Sequence, residues 1–288
     1  MNIAWIGTGI MGKRMINRLT KQGHIIHAFN RTYEKMDDLT HPNIFKFKSI
    51  KNAIENTHLI MTMVGYPEDV EKVYLDKEDG ILNFANSSQI CIDFTTSSPS
   101  LAVKIANNDR GIAVLDAPVT GGDIGALNGT LSIMVGGNEQ AFKKVEDILK
   151  ILGTQISYFG KSGNGQHAKL FNQILVAINT YASAEVLNYC HKNGVEMNVA
   201  KKVFDLSIGN NWQLINNGNK MLENDLSPGF YIKHLIKDLN LVKENEKNFL
   251  YATNEILKVY QDFVFKNNSL NNFGTQAIYE LLKNGKEE

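Results

Sequence analysis

Cysteine is scarce in this chain of 288 residues: there are two, Cys91 and Cys190. They lie far apart and neither stands in a CxxC spacing. A disulfide framework or a cysteine metal site is therefore not expected, and a reducing compartment fits. Net charge is missing as well, since Lys+Arg and Asp+Glu both number 30. That balance argues against a broad electrostatic grip on nucleic acid or on an anionic membrane. No apolar run approaches the roughly twenty residues that span a bilayer. No basic segment with a cleavage site precedes the folded pattern that begins at Asn2. These absences together lead to the expectation of a cytoplasmic protein with no nucleic-acid partner, no membrane partner and no metal. What is present is 43% hydrophobic and 21% charged residues, the balance of a globular chain that can bury a substantial core.

Short apolar runs alternate with amphipathic stretches over roughly the first 155 residues. The strand candidates are Ile3–Ile6, Ile25–Phe29, Ile44–Phe47, Leu59–Val64, Ile90–Phe94, Ile112–Leu115 and Leu131–Val135. Strand–helix–strand alternation predicts a doubly wound parallel sheet of the Rossmann type. The clearest helix between strands is 138–152, with Phe142, Val145, Leu149 and Leu152 on one stripe, Asn138 as its cap and Gly153 beyond its end. The character changes near Gly160. A long helix is expected from about Gln166 to Asn193, closed by Gly194. Its apolar residues, among them Phe171, Leu175 and Val186, cover most of the circumference, which predicts burial all round. Only helical patterns follow, including the stripe Ile232, Leu235, Ile236, Leu239 and Val242. The expected organisation is an α/β domain over residues 1–160 and an all-helical domain over residues 161–288 that starts with the long helix.

Gly7-Thr-Gly9-Ile10-Met11-Gly12 follows the first strand and opens the first helix. The first glycine permits a tight turn, the second lets a pyrophosphate approach the backbone, and the third lets helix and strand pack closely. The helix N-terminus then offers unpaired N–H groups to phosphate. Such a GxGxxG motif also occurs in glycine turns of unrelated α/β folds; its place directly after a strand favours dinucleotide binding. The second strand ends in Asn30-Arg31-Thr32, where an NAD-selective site places a carboxylate for the ribose 2′-OH. Asn30 brings no negative charge, Arg31 can pair with a 2′-phosphate and Thr32 can donate to it. NADPH is the expected cofactor, with NADH as the alternative. Two more strand ends, around Val64 and Thr96, fall where an open α/β sheet binds its ligand.

Asp116-Ala-Pro-Val-Thr120-Gly121-Gly122 follows the sixth strand candidate. A hydroxyl beside two glycines exposes several backbone N–H groups, a cradle suited to a carboxylate, although a glycine turn can equally be structural. On the long helix, Lys169, Asn172 and Gln173 share one face. A cation and two amides on a buried helix demand a polar partner or cavity, unless the lysine reaches solvent. His167, two residues from Lys169, points elsewhere. Lys233 and Lys237 share a later helix face that reads, on its own, as a solvated one.

These segments, in this order and over essentially the whole chain, closely resemble the β-hydroxyacid dehydrogenase family. Its carriers here are Gly7–Gly12, Asp116–Gly122, Gly163-Asn-Gly-Gln-His-Ala-Lys169-Leu-Phe-Asn172-Gln173, and Pro228-Gly-Phe230 leading to Lys237-Asp238-Leu239. The resemblance implies an NADP(H)-preferring semialdehyde reductase that interconverts a small 3-hydroxy acid and its semialdehyde. It implies that Lys169 is the acid/base, assisted by Asn172 or Gln173. It implies that Thr120, Gly121 and Gly122 hold the substrate carboxylate and that Lys237 lies beside substrate and cofactor. Thr120 stands where the family usually has serine, and Gln173 where it often has asparagine. Asn30-Arg31-Thr32 resembles the NADPH-preferring branch. A homodimer or homotetramer is expected. The alternatives are a short 6-phosphogluconate dehydrogenase-like enzyme, an imine reductase-like enzyme and a non-catalytic nucleotide-binding module.

Overall fold

Seven apolar runs and a set of amphipathic helices need two faces of a sheet to bury against. The computed structural model describes residues 1–204, 206–246 and 250–283, with the side chain of Asn198 also outside the described set. The chain forms two compact units, Met1–Lys169 and Leu170–Glu288.

In the first unit six strands form a parallel sheet: β1 (Asn2–Ile6), β2 (Ile25–Phe29), β3 (Ile44–Phe47), β4 (Leu59–Thr62), β5 (Ile90–Asp93) and β6 (Ala113–Asp116). Their order across the sheet is β3-β2-β1-β4-β5-β6. The order reverses at β1, where β2 and β4 leave in opposite directions. Ligands of open α/β sheets bind at such a switch point, outside the carboxyl ends of the strands. Both faces are covered. Ile3, Trp5, Ile26, Met61, Ile92 and Leu115 pack into one core, and Ala4, Ile6, Ile60, Cys91 and Val114 into the other. Burial on both faces is why the central strands read as continuous apolar runs rather than alternating ones.

The seventh strand candidate does not join this sheet. Leu131–Val135 (β8) is the middle of a separate three-stranded sheet, antiparallel to β7 (Val119–Thr120) and parallel to β9 (Gly153–Tyr158). Neither partner was expected. β7 is two residues long, and β9 opens on a glycine and carries the exposed Thr154 and Gln155, so neither shows an apolar period. An isolated bridge between Asp116 and Gly136 links the two sheets. The helix Glu139–Leu152 forms as expected, with Asn138 Oδ1 accepting from Ala141 N at 2.9 Å.

The long helix runs from Asn164 to Lys192, and the division between the units falls inside it. Gly194 follows with φ +67°, the left-handed conformation of a helix stop. Burial all round is not what the structure shows. Ala177, Ala184 and Leu187 are in the core, but Phe171, Leu175, Val186 and Tyr189 are 62%, 61%, 40% and 70% exposed. Among its described residues the second unit is built of helices, with an isolated bridge between Tyr231 and Gly274. Its main elements besides the long helix are Met197–Phe204, Trp212–Leu222, Ile232–Asn245, Tyr251–Lys266 and Ile278–Lys283. Ile232, Leu235 and Leu239 form the core side of their helix, against Ile256, Leu257, Tyr260 and Ile278.

Candidate active site

The glycine loop sits at the switch point. Gly7 has φ +99°, and a side chain there would run into the Met63 carbonyl at the end of the neighbouring strand. A side chain on Gly12 would strike the Gly7 carbonyl, which already accepts from Trp5 Nε1 at 2.9 Å. Gly9 differs: nothing lies within 4 Å of where its Cβ would be. The helix that follows, Ile10–Lys21, has no side-chain cap and no acidic residue in its first turn. Two glycines are thus demanded by packing, and the third leaves open space before a run of uncapped N–H groups. That arrangement fits a pyrophosphate.

Asn30 turns its side chain into this loop. Its Oδ1 accepts from Thr8 N at 3.0 Å and its Nδ2 donates to the Thr32 carbonyl at 2.8 Å. It therefore ties the end of β2 to the glycine loop. Arg31 and Thr32 are exposed beyond it. The Arg31 guanidinium meets Asp69 Oδ1 at 3.0 Å, in the first turn of the helix Pro67–Leu75. Val64 and Thr96 are half-buried at the next two strand ends, and Val64 N donates to Thr95 Oγ1 at 3.0 Å.

The Thr120 segment is a left-handed corner, with φ +120° at Gly121 and +64° at Gly122. It leads into the helix Gly122–Asn128, which Asp123 fastens to Arg14 of the first helix at 2.9 Å. Gly121 is exposed and Thr120 and Gly122 are half-buried, so the corner is accessible.

Two residues that sequence reasoning did not single out fix the start of the long helix. Asp116, 4% exposed, accepts from Gly163 N at 2.8 Å and Gln166 N at 2.9 Å. Gln166, fully buried, accepts from Ser97 N at 2.9 Å and donates to the Thr95 carbonyl at 2.8 Å. The helix is thereby pinned to the ends of β5 and β6. A buried acid just before a glycine turn and a glutamine in a helix's first turn were the available signals. Burial raises the Asp116 carboxyl above its ordinary range, opposed by the N–H groups it accepts. Lys169 follows one turn later and is 5% exposed. His167 is exposed on another face.

In the second unit the polar residues form a relay. Asn172 Nδ2 donates to Gln173 Oε1 at 2.9 Å, Gln173 Nε2 donates to Asp238 Oδ2 at 2.6 Å, and Lys237 Nζ lies 3.1 Å from Asp238 Oδ1. Gln173 and Asp238 are buried, and the Lys237 side chain is 12% exposed. A solvated face therefore does not describe Lys237. Lys233 is half-buried, and its Nζ donates to Asn272 Oδ1 at 2.8 Å and lies over the Tyr231 ring. His234 beside them is pushed down to about 4 by burial and then by Lys237. Among the described residues no group of His, Cys, Asp and Glu is placed to hold a metal, and no helix is long and apolar enough to cross a membrane.

Residues 2–160 match the model of the NAD binding domain of 6-phosphogluconate dehydrogenase, and residues 163–278 match that described as NAD-binding of NADP-dependent 3-hydroxyisobutyrate dehydrogenase. The chain belongs to the β-hydroxyacid dehydrogenase family. It is 38% identical to an uncharacterized oxidoreductase of Bacillus subtilis, over 97% of this chain and 98% of that protein. It is 34% identical to an NAD-dependent L-serine dehydrogenase of Pseudomonas aeruginosa, over 84% of each. The structure of Mycobacterium tuberculosis 3-hydroxyisobutyrate dehydrogenase with L-serine superposes with a TM-score of 0.88 at 26% identity, covering 98% of this chain and 99% of that one. The β-hydroxyacid dehydrogenase fold, a Rossmann unit followed by an all-helical unit, is the one seen here.

Proposed function

We propose that this protein interconverts a small 3-hydroxy acid and its semialdehyde, with NADPH as the preferred hydride carrier and Lys169 as the acid/base. The observation that carries the reading is the buried Lys169, one turn after a helix start that Asp116 and Gln166 clamp to the strand ends. An ammonium is costly to bury, and so rigid a mount for one has a ready purpose in proton transfer. The relatives support the substrate class: one is named for L-serine and another for 3-hydroxyisobutyrate, and both names denote small 3-hydroxy carboxylates.

In this reading the backbone N–H groups of Thr120, Gly121 and Gly122 hold the substrate carboxylate, which the open left-handed corner supports. Lys169 donates a hydrogen bond to the reacting oxygen and passes it a proton in the reductive direction, or removes one in the reverse direction. Bound NADPH supplies the hydride. Asn172, half-buried, is the amide that meets substrate. Gln173 has both ends of its amide engaged and acts through Asn172 as its support. Lys237, held by Asp238, contributes positive charge for the anionic substrate and cofactor. The glycine loop, with Val64 and Thr96 at adjacent strand ends, holds the pyrophosphate and nicotinamide halves, and Asn30-Arg31-Thr32 the 2′-phosphate. The Lys169→Ala variant is expected to lose turnover by about 10²–10⁴-fold while binding NADP⁺ as the wild type does. NADPH oxidation over glyoxylate, succinic, tartronate and methylmalonate semialdehydes, with cofactor affinity by calorimetry, is the measurement. More than a few per cent of residual activity would remove Lys169 from the chemistry.

A further inference from the structure

Arg31 is already occupied. Its guanidinium is 78% exposed and reaches Asp69 Oδ1 at 3.0 Å, whereas Asp69 is only 28% exposed. The acid is the better anchored of the two. It lies in the first turn of a nine-residue helix, where the helix dipole favours a carboxylate. It also folds back over the turn after β4: a Cβ on Gly65 would sit 3.2 Å from Asp69 Oδ2. The sheet order sets Arg31 after β2 and Asp69 after β4, with β1 between them. The ion pair therefore reaches across the carboxyl end of β1, where the glycine loop begins.

We propose that Asp69 is a selectivity-determining residue that weakens the grip of Arg31 on a nucleotide 2′-phosphate and so keeps NAD(H) competitive. The inference rests on the reading of Arg31 as the 2′-phosphate partner. A 2′-phosphate that pairs with Arg31 must either take the guanidinium from Asp69 or share it. In both cases an anionic phosphate, carrying about two negative charges, comes close to the Asp69 carboxylate. A 2′-hydroxyl meets no such repulsion. The ordering that the carboxylate gives to an exposed arginine is the smaller effect, because exposed ion pairs contribute little.

The test is calorimetric titration of the full chain with NADP⁺, NAD⁺ and adenosine 2′,5′-bisphosphate at low and moderate salt, for Asp69→Asn, Arg31→Ala and the double variant. Asp69→Asn is expected to tighten NADP⁺ and the bisphosphate about three- to tenfold while NAD⁺ stays within about twofold, with the gain shrinking as salt rises. The gain is expected to vanish in the Arg31→Ala background. Unchanged or weaker NADP⁺ binding by Asp69→Asn, with Arg31→Ala still selectively impairing NADP⁺, overturns the role of Asp69 and leaves Arg31 in place. Equal effects of Arg31→Ala on both dinucleotides overturn the reading of Arg31 itself. If Asp69→Asn unfolds, Asp69→Ser with the same titrants replaces it.

Discussion

Asp93 places a carboxyl where almost no water reaches. It accepts from Thr62 Oγ1 at 2.7 Å and Thr95 N at 3.1 Å, and Thr62 in turn touches the buried Tyr74 hydroxyl. Burial wins over these bonds, with Asp116 adding its charge, and the group is pushed up to about 6. In the unfolded chain it titrates near 4. Between those values the folded state holds a proton that the unfolded state has lost, so this residue's contribution to stability is full below about 4 and is lost as pH rises through 6. Asp93→Asn keeps one acceptor oxygen and does not titrate. Its melting temperature relative to the wild type is expected to climb by a few degrees from pH 4.5 to 7.5 in thermal scans. A difference that stays flat with pH would show that Asp93 does not change its protonation there. At this scale the glycines of the first motif were legible in the sequence, because their spacing directly after a strand carries the turn; the role of Lys169 came from the family resemblance rather than from spacing. The sequence did not disclose Asp116, Gln166 or Asp238. Each matters through a partner distant in the chain, such as Thr95 for Gln166, and no local period marks such a pairing.

The clamp at the start of the long helix belongs to the scale of elements. Removing the Gln166 side chain leaves the Ser97 N–H and the Thr95 carbonyl without the partner that joins the helix to the loop after β5. Buried groups left unsatisfied cost about 1–3 kcal/mol. Gln166→Ala is expected to lose about that much unfolding free energy in denaturant titrations and to lose kcat more than KM rises, since Lys169 lies on the next turn. Equal activity in a destabilised variant would limit Gln166 to a structural role. Strands were legible where both sheet faces bury them, as with β1 and β4. They were not where pairing is short or polar, as with β7 and β9. The helix itself was legible in extent, from its apolar content to Gly194, but not in what surrounds it. A helix apolar all round predicts burial without saying by which chain.

That difference becomes a prediction for the whole molecule. Phe171, Leu175, Val186 and Tyr189 fall within about 60° of one another around the helix axis, given 3.6 residues per turn. They make an exposed apolar stripe spanning about 27 Å at 1.5 Å per residue, more extended than the scattered apolar residues usual on a surface. A second copy of the chain is the expected cover, in line with the homo-oligomer expected from the sequence. Light scattering after gel filtration is expected to give a multiple of the 32.2 kDa chain mass. Phe171→Glu combined with Leu175→Glu is expected to lower that multiple. A wild type of monomeric mass would sink the idea.

The chain has two tryptophans, and they are placed in contrasting surroundings. Trp5 is fully buried, stacked on Phe94 at 5.8 Å and bonded to the Gly7 carbonyl, whereas Trp212 is 65% exposed. The molecule thus carries an optical probe of its own beneath the glycine loop. With Trp212→Phe, the remaining emission is expected to be blue-shifted and shielded from acrylamide, and to excite reduced nicotinamide by resonance transfer when titrated with NADPH. Emission that stays red and accessible to the quencher would mean the indole is not sealed beneath that loop.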